Sequence, residues 1–123
     1  MAGNGDKRLT ELIRLAMECM GVAVTIIDPQ GTLLYYNKQA EKILDRKPEY
    51  IGKDVHSHHK RAASNKKLDM MLEDFQKGRT EPFHYQARPY GETILVILSP
   101  IFEDAKFVGC VQCVRLKDDT ESR

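Results

Sequence analysis

The 123-residue chain is long enough for one domain and too short for two hydrophobic cores. Its residues are 41% hydrophobic and 30% charged, which is ordinary for a globular protein, and no apolar run approaches the roughly 20 residues of a membrane-spanning helix. With 19 basic and 18 acidic residues the formal net charge is +1, so we expect no nucleic acid as a direct partner. Because the chain has no such apolar run, we expect no membrane partner either. The first residues lack the apolar segment of a signal peptide, and we therefore expect a cytoplasmic protein.

The first predicted element is an amphipathic helix over residues 6–20, "DKRLTELIRLAMECM", with Asp6 as its N-cap. Apolar side chains recur along it at helical spacing: Leu9, Leu12, Ile13, Ala16, Met17 and Met20. This apolar face is wider than a solvated helix would tolerate. We expect a homodimer through residues 6–20. Packing of the helix onto the outer side of its own sheet is a second arrangement that can coexist with it.

A β-hairpin and a short helix come next. Residues 22–28, "VAVTIID", predict a β-branched strand, "DPQG" predicts a type I turn, and "TLLYYN" predicts the return strand. Asn37 ends that strand and stands where a helix N-cap belongs. The following "KQAEKILDR" places Ala40, Ile43 and Leu44 on one helical face.

The second half of the chain predicts one longer helix and three strands. From about Asn65, apolar residues repeat at intervals of three and four as far as Gly78. Three β-rich segments follow, near residues 82–88, 92–101 and 106–116. This order predicts an α+β fold, in which a five-stranded antiparallel sheet carries the helices of residues 37–78 on one face.

Three cysteines in a chain without a signal peptide argue against a disulfide framework. Cys110 and Cys113 form a C-x-x-C within the predicted strand "FVGCVQCVRL". Side chains three apart on a strand face opposite sides of a sheet, so these thiols are poorly placed to share a metal or a disulfide. We expect ordinary reduced cysteines.

Three of the four histidines, His56, His58 and His59, fall within "VHSHHK", just before the longer helix. A catalytic histidine needs a nucleophile or a substrate clamp beside it, and the chain has no glycine-rich phosphate loop, nucleophile elbow or H-E-x-x-H motif. We therefore do not expect an enzyme. A zinc site completed by His84 stays open, although adjacent histidines diverge in either a helix or a strand. The plain alternative is a solvated helix start.

The segments "IIDPQGTLLYYN" and "AEKILDRKPEYIGKDV" resemble the front half of a PAS domain. The closing "AKFVGCVQCVRLKDDTESR" is similar to the last strand of that family and its Asp-x-Thr exit, here Asp118-Asp119-Thr120. The resemblance covers about residues 18–120. The histidine-rich stretch is similar to a subgroup in which a His-Pro pair precedes a helix, so His59 falls at the subgroup's histidine while Lys60 replaces the proline.

The resemblance implies a five-stranded antiparallel sheet that binds a small ligand or cofactor between itself and its helices. It divides the chain into an N-terminal dimerisation helix (residues 1–20), a sensor domain (residues 21–117) and an exit tail (residues 118–123). PAS domains sense and dimerise, while a downstream effector domain or a partner protein usually performs the chemistry. The resemblance implies the same for this chain.

Some PAS domains, including carbon monoxide sensing regulators, hold haem through a histidine of the helical half. The resemblance therefore makes His59 a candidate ligand of haem iron, with His84, Met70 or Met71 on the opposite side. The apolar residues expected to line the pocket are Ile43, Leu44, Leu68, Met71, Leu72, Ile94, Val96 and Leu98. The alternatives are a pocket that is empty or holds another small ligand, and a pure dimerisation module whose pocket is filled by its own side chains.

Overall fold

The computed structural model describes residues 4–55 and 62–117 and has the α+β architecture predicted from the sequence. Its helices are α1 (Asn4–Cys19), α2 (Lys38–Ile43) and α3 (Ala62–Gln76), with a 3₁₀ turn at Pro48–Tyr50. Its strands are β1 (Ala23–Ile27), β2 (Leu33–Tyr36), β3 (Phe83–Ala87), β4 (Ile94–Glu103) and β5 (Lys106–Leu116). In this described part of the chain, no helix is both long enough and apolar enough to cross a membrane.

The five strands form one antiparallel sheet in the order β2-β1-β5-β4-β3. Thr25 of β1 pairs with Gln112 of β5. Gln112 also pairs with Leu98 of β4, and Leu98 pairs with Phe83 of β3. Side chains of paired residues point to the same face, so this row crosses four strands on one side of the sheet. The predicted sheet is confirmed.

Helices α2 and α3 cover the same face of the sheet, which we call the inner face. Helix α3 buries Phe75 completely, with its ring centroid 5.2 Å from that of Phe83 and 5.6 Å from that of Phe107. Helix α2 buries Ala40 against Ala23 of β1. The prediction that residues 37–78 supply the helical cover on one face is thus confirmed for the described residues.

The buried apolar residues of the inner face form two clusters. The α3 cluster consists of Ile27, Leu33, Val55, Met71, Leu72, Phe75, Leu98, Phe107 and Cys110. The α2 cluster consists of Ala23, Ala40, Ile94, Val96 and Val114. Tyr36 and Tyr85 pack against both clusters. The interior is therefore divided into two apolar parts, with tyrosines in contact with each.

The predicted turn and the predicted helix cap are both present, and short polar side chains hold them. In the β1–β2 turn, Asp28 Oδ1 accepts hydrogen bonds from the backbone N–H groups of Gln30 and Thr32, at 2.9 and 2.8 Å. Asn37 is the N-cap of α2, because its Oδ1 accepts the Ala40 N–H at 3.0 Å. Short polar side chains thus fix the turn of the hairpin and the start of α2 that follows it.

Helix α1 begins at Asn4, two residues before the predicted cap, so Asp6 lies in its first turn. A carboxylate is favourable there because it faces the positive end of the helix dipole. The last turn is attached to the domain by a hydrogen bond between Glu18 and the Tyr35 hydroxyl. The apolar side chains nearer the N-terminus are solvent-exposed, with Leu9 at 57% and Ile13 at 56% exposure.

Candidate ligand-binding site

A charged side chain, Arg46, is buried between the sheet and the segment that follows α2. Helix α2 ends at Ile43, and its C-cap Leu44 has an extended backbone and donates its N–H to the Ala40 carbonyl oxygen at 2.9 Å. The Arg46 N–H then donates to the Leu44 carbonyl oxygen at 3.0 Å. This chain path leaves Arg46 only 9% exposed. An arginine is rarely buried unless its charge is paired, so the groups that contact the Arg46 guanidinium need an account.

The Arg46 guanidinium makes three hydrogen bonds, all to neutral acceptors. Its Nε donates to Thr25 Oγ1, its Nη1 to the Asp45 carbonyl oxygen and its Nη2 to Gln112 Oε1, each at 3.2 Å. Among residues 4–55 and 62–117, no carboxylate forms an ion pair with it. Burial lowers the pKa of Arg46, while nearby Tyr90 and Asp45 oppose that shift. The hydrogen-bond partners of the charge are therefore all neutral, and Asp45 acts on it without forming an ion pair.

The two sheet partners of Arg46 form a polar row between the apolar clusters. On β1, Thr25 lies between Ala23 of the α2 cluster and Ile27 of the α3 cluster. On β5, Gln112 lies between Val114 of the α2 cluster and Cys110 of the α3 cluster. The polar row is thus built into two neighbouring central strands, on the face that meets the helices.

The row continues to Tyr85 on the edge strand β3. Burial raises the pKa of the Tyr85 hydroxyl, and a hydrogen bond from the Gln112 side chain opposes that shift. The Gln112 side chain, whose Oε1 accepts from Arg46, is thus a neighbour of the Tyr85 hydroxyl. The Lys67 ammonium of α3 stands 3.8 Å from the centroid of the Tyr85 ring, a cation–π contact. One polar chain therefore runs from Arg46 through Gln112 to Tyr85.

The eight apolar residues predicted to line a pocket lie inside the domain in two groups. Four belong to the α3 cluster or pack against it: Leu68, Met71, Leu72 and Leu98. The other four belong to the α2 cluster or pack against it: Ile43, Leu44, Ile94 and Val96. The structure thus places these side chains on both sides of the polar row.

The predicted iron and zinc ligands are not brought together by the described residues. His56, His58 and His59 lie outside the described residues, so the haem and zinc predictions for them stay predictions. His84 is exposed, and it pairs with Ile97 on the outer face of the sheet. Met70 is also exposed, at 60%, whereas Met71 is buried. Within the described part of the chain, no three His, Cys, Asp or Glu side chains form a candidate metal site.

The two cysteines of the C-x-x-C lie on opposite faces, as their spacing predicts. Cys110 is fully buried in the α3 cluster, and burial raises the pKa of its thiol to about 12. Cys113 lines a groove on the outer face. Both are free thiols.

The outer face of the sheet carries this open groove, with a volume of about 410 Å³. Its apolar lining includes Val22, Leu95, Ile97 and Cys113. Ile97 is 40% exposed, so α1 does not cover this part of the sheet. The domain thus has two incompletely covered apolar surfaces, the groove and the N-terminal part of α1.

The sequence model of the PAS domain family matches residues 13–114 of this chain. The chain belongs to the PAS domain family. Members of this family are commonly sensory signalling modules. A comparison with curated proteins gives no match.

Solved PAS structures have the same fold at low sequence identity. The PAS domain of a protein from Colwellia psychrerythraea is 17% identical, with a TM-score of 0.69 over 89% of this chain and 97% of that one. The PAS domain of BvgS from Bordetella pertussis is 13% identical, with a TM-score of 0.69 over 94% and 91%. A sensory box sensor histidine kinase structure from Vibrio cholerae is 14% identical, with a TM-score of 0.63 over 90% and 92%. These likenesses concern the fold.

Sequence reasoning about this PAS domain missed the polar row. The alternation of side chains along a strand could have identified Gln112. Cys110, Gln112 and Val114 lie on the same face of β5, and the two apolar residues of this set are buried. Thr25 follows from the same argument on β1. Arg46 gave no such signal, because "LDRKPEY" reads as a charged loop and nothing local fixes the direction of its side chain.

Proposed function

We propose that this PAS domain is a sensory module that binds a small ligand between its sheet and its helices and relays the bound state through α1. The observation that carries the proposal is the polar row of Thr25, Gln112 and Arg46 between two apolar clusters. Apolar walls with a few convergent polar groups are typical of small-molecule sites. A domain that needed its interior for stability alone would be better served by apolar side chains at these positions, because buried polar groups are costly unless they are fully paired.

The proposed relay runs from the inner face to α1 through Asn37. This residue is 1% exposed and caps α2, which packs on the α2 cluster. Its Nδ2 also donates to the Met17 carbonyl oxygen in the last turn of α1, at 2.8 Å. A ligand that shifts α2 relative to the sheet therefore shifts the attachment of α1 as well. The bound state then changes how α1 is presented to a partner.

The partner that we propose for α1 is a second copy of the chain. The exposed side chains Leu9, Leu12 and Ile13 lie on one face of the helix, and the groove on the outer face of the sheet offers complementary apolar surface. Burying three or four such side chains contributes on the order of 5 kcal/mol before association costs, which is enough for a weak dimer. We expect a downstream effector domain or partner protein to respond to the dimer arrangement.

The test is a thermal-shift screen of the full chain against small molecules of varied charge, with haem included. Each compound that raises the melting temperature is then used in sedimentation, with and without the compound. We expect at least one compound to raise the melting temperature and to change the dimer fraction. If no compound in the screen stabilises the folded chain, it is a pure dimerisation module and the ligand proposal is wrong.

The haem alternative has its own measurement, the absorption spectrum of the protein as purified and after haem reconstitution. If haem is the cofactor, a Soret band appears, and His59→Ala abolishes or strongly shifts it while His56→Ala leaves it nearly unchanged. Equal effects from the two substitutions would contradict the assignment to His59. The absence of a Soret band after reconstitution would remove haem from the candidates.

A further inference from the structure

The buried Arg46 guanidinium has N–H donors without an acceptor among the described residues, and we propose that the ligand of the inner face is a small organic carboxylate held by this group. This inference rests on the proposed function, since it names the chemical class of the ligand for the same site. It depends on a count of the donors of Arg46 and Tyr85, on the charge of the site and on its apolar walls.

The Arg46 guanidinium has more N–H donors than the described residues use. A guanidinium carries five N–H donors, and the three hydrogen bonds to Thr25, Asp45 and Gln112 use one each on Nε, Nη1 and Nη2. One N–H on Nη1 and one on Nη2 are left without an acceptor among the described residues. All N–H groups of a guanidinium lie in one plane, and parallel N–H groups on neighbouring nitrogens can bind both oxygens of a carboxylate at once.

Tyr85 adds a third donor to the same face. Its hydroxyl lies near the Gln112 side chain, and an O–H group can donate as well as accept. Gln112 Oε1 accepts from Arg46 Nη2. The groups left on the Arg46 guanidinium are N–H donors, so a ligand there must supply acceptors.

The charge of the site favours a single negative charge on the ligand. Arg46 is buried, and no carboxylate of the described residues forms an ion pair with it. A monoanion neutralises this guanidinium, whereas a phosphate dianion would leave an excess negative charge in the interior. The flanking clusters are apolar, with Leu98 on one side and Val96 on the other. A carboxylate with a compact apolar body matches both features.

The Tyr85 end of the row is accessible from outside. A groove of about 280 Å³ lies between α3 and β3, and its walls include Lys67, Met70, Phe83 and Tyr85. The Lys67 ammonium over the Tyr85 ring places a second positive charge at this entrance. The Asp74 carboxylate lines the same groove, so this entrance carries charges of both signs.

The first arm of the test compares acids with their amides on the unmodified chain. Propionate, butyrate, benzoate and phenylacetate are titrated by calorimetry at constant ionic strength, each beside its neutral amide. We expect at least one acid to bind about tenfold or more tightly than its amide, because the amide lacks the charge that pairs with Arg46. An amide that binds as tightly as its acid would overturn the carboxylate inference and leave the ligand-binding function intact.

The second arm uses variants at Arg46 and a matched control. Arg46→Gln keeps a hydrogen-bonding side chain without charge, and it should weaken binding of the preferred acid by about tenfold or more. Arg46→Lys keeps the charge without the planar donors. Its affinity for the preferred acid should lie between that of the unmodified chain and that of Arg46→Gln. Arg88→Gln removes an exposed arginine that bonds Thr93 and Gly91, and it should leave the affinity unchanged. Equal losses in the Arg46 and Arg88 variants would show a general charge effect and contradict the proposal.

A haem propionate carries the same carboxylate chemistry, so a third arm titrates haem into the unmodified chain and into Arg46→Gln. If the carboxylate belongs to haem, the small acids fail to bind while haem binds, and Arg46→Gln weakens haem binding by about tenfold. If neither haem nor any of the acids binds, whereas a neutral compound from the thermal-shift screen does, the carboxylate inference is wrong and the sensor proposal stands. If nothing binds, both are wrong.

Discussion

The side chain of Asn37 joins two helices that do not follow each other directly in the chain: its Nδ2 donates to the carbonyl oxygen of Met17 at 2.8 Å. The same Nδ2 donates to the Val22 carbonyl oxygen at 3.0 Å, while Oδ1 accepts from the N–H groups of Val24 and Ala40 at 2.9 and 3.0 Å. One buried side chain thus fastens the end of α1, the start of β1 and the start of α2.

Replacing Asn37 should therefore loosen α1 as well as lower stability. In Asn37→Ser the hydroxyl can still cap α2, but the bonds to Met17, Val22 and Val24 are lost. We expect the free energy of unfolding to fall by about 2 kcal/mol, because buried backbone groups lose their partners. Urea unfolding measures that loss, and hydrogen exchange in the last turn of α1 should accelerate more than exchange in β4. Lys38→Ala, an exposed neighbour, is the control; unchanged exchange in α1 of Asn37→Ser would contradict the relay.

The dimer prediction depends on the exposed face of α1. Replacing both Leu12 and Ile13 by Glu places two charges in the proposed dimer interface. We expect the dimer dissociation constant to rise by about a hundredfold, because charges are poorly tolerated in an apolar contact. Sedimentation of the full chain measures the change, and Lys7→Glu on the opposite side of α1 is the control. A full chain that is monomeric at high concentration, or a double variant that dimerises normally, would show that α1 does not hold the subunits together.

Hydrophobic periodicity and helix-capping residues predicted the fold well, because both depend on residues that are close together in sequence. The strand near 106–116 and the cap at Asn37 follow from alternation and from one polar side chain at a helix start. The start of α1 was displaced to Asn4, since the sequence offers more than one polar residue before the first apolar position. Arg46 could not be predicted, because its burial depends on Thr25 and Gln112, which are 21 and 66 residues away in sequence. Interactions of this kind arise from tertiary structure and leave no periodic trace.

A close backbone approach at Gly109 gives a test of the sheet itself. A Cβ atom at Gly109 would lie 2.7 Å from the Ile27 carbonyl oxygen, a distance that forces the backbone of β1 or β5 to move. We expect Gly109→Ala to lower the free energy of unfolding by about 1–3 kcal/mol, measured by urea unfolding. Gly21→Ala is the matched control, because nothing lies within 4 Å of its added Cβ. Equal stability of the two variants would mean that β1 and β5 do not meet as described.

Because the Cys110 thiol is buried, we predict that the protein loses stability at alkaline pH. Burial raises the pKa of Cys110 from 9.0 to about 12, so the protonated thiol contributes stability that is fully present below pH 9. Above pH 9 the unfolded chain releases this proton first, and stability falls by up to about 1.4 kcal/mol per pH unit until pH 12. Urea unfolding at several pH values should show a shallower decline in Cys110→Ala than in the unmodified chain. The exposed Cys19 provides the control variant, Cys19→Ala, whose decline should match that of the unmodified chain.

The most direct test of ligand binding on the inner face is an NMR titration of side-chain N–H signals with the preferred acid. The Nε–H of Arg46 and the amide of Gln112 report on the inner face, while the Nε–H of Arg88 and the amide of Gln86 report on exposed surface in the same spectrum. We predict saturable shifts of the Arg46 and Gln112 signals, with the Arg88 and Gln86 signals unmoved. Shifts confined to the exposed reporters, or none at saturating acid, would contradict a ligand site between the sheet and the helices.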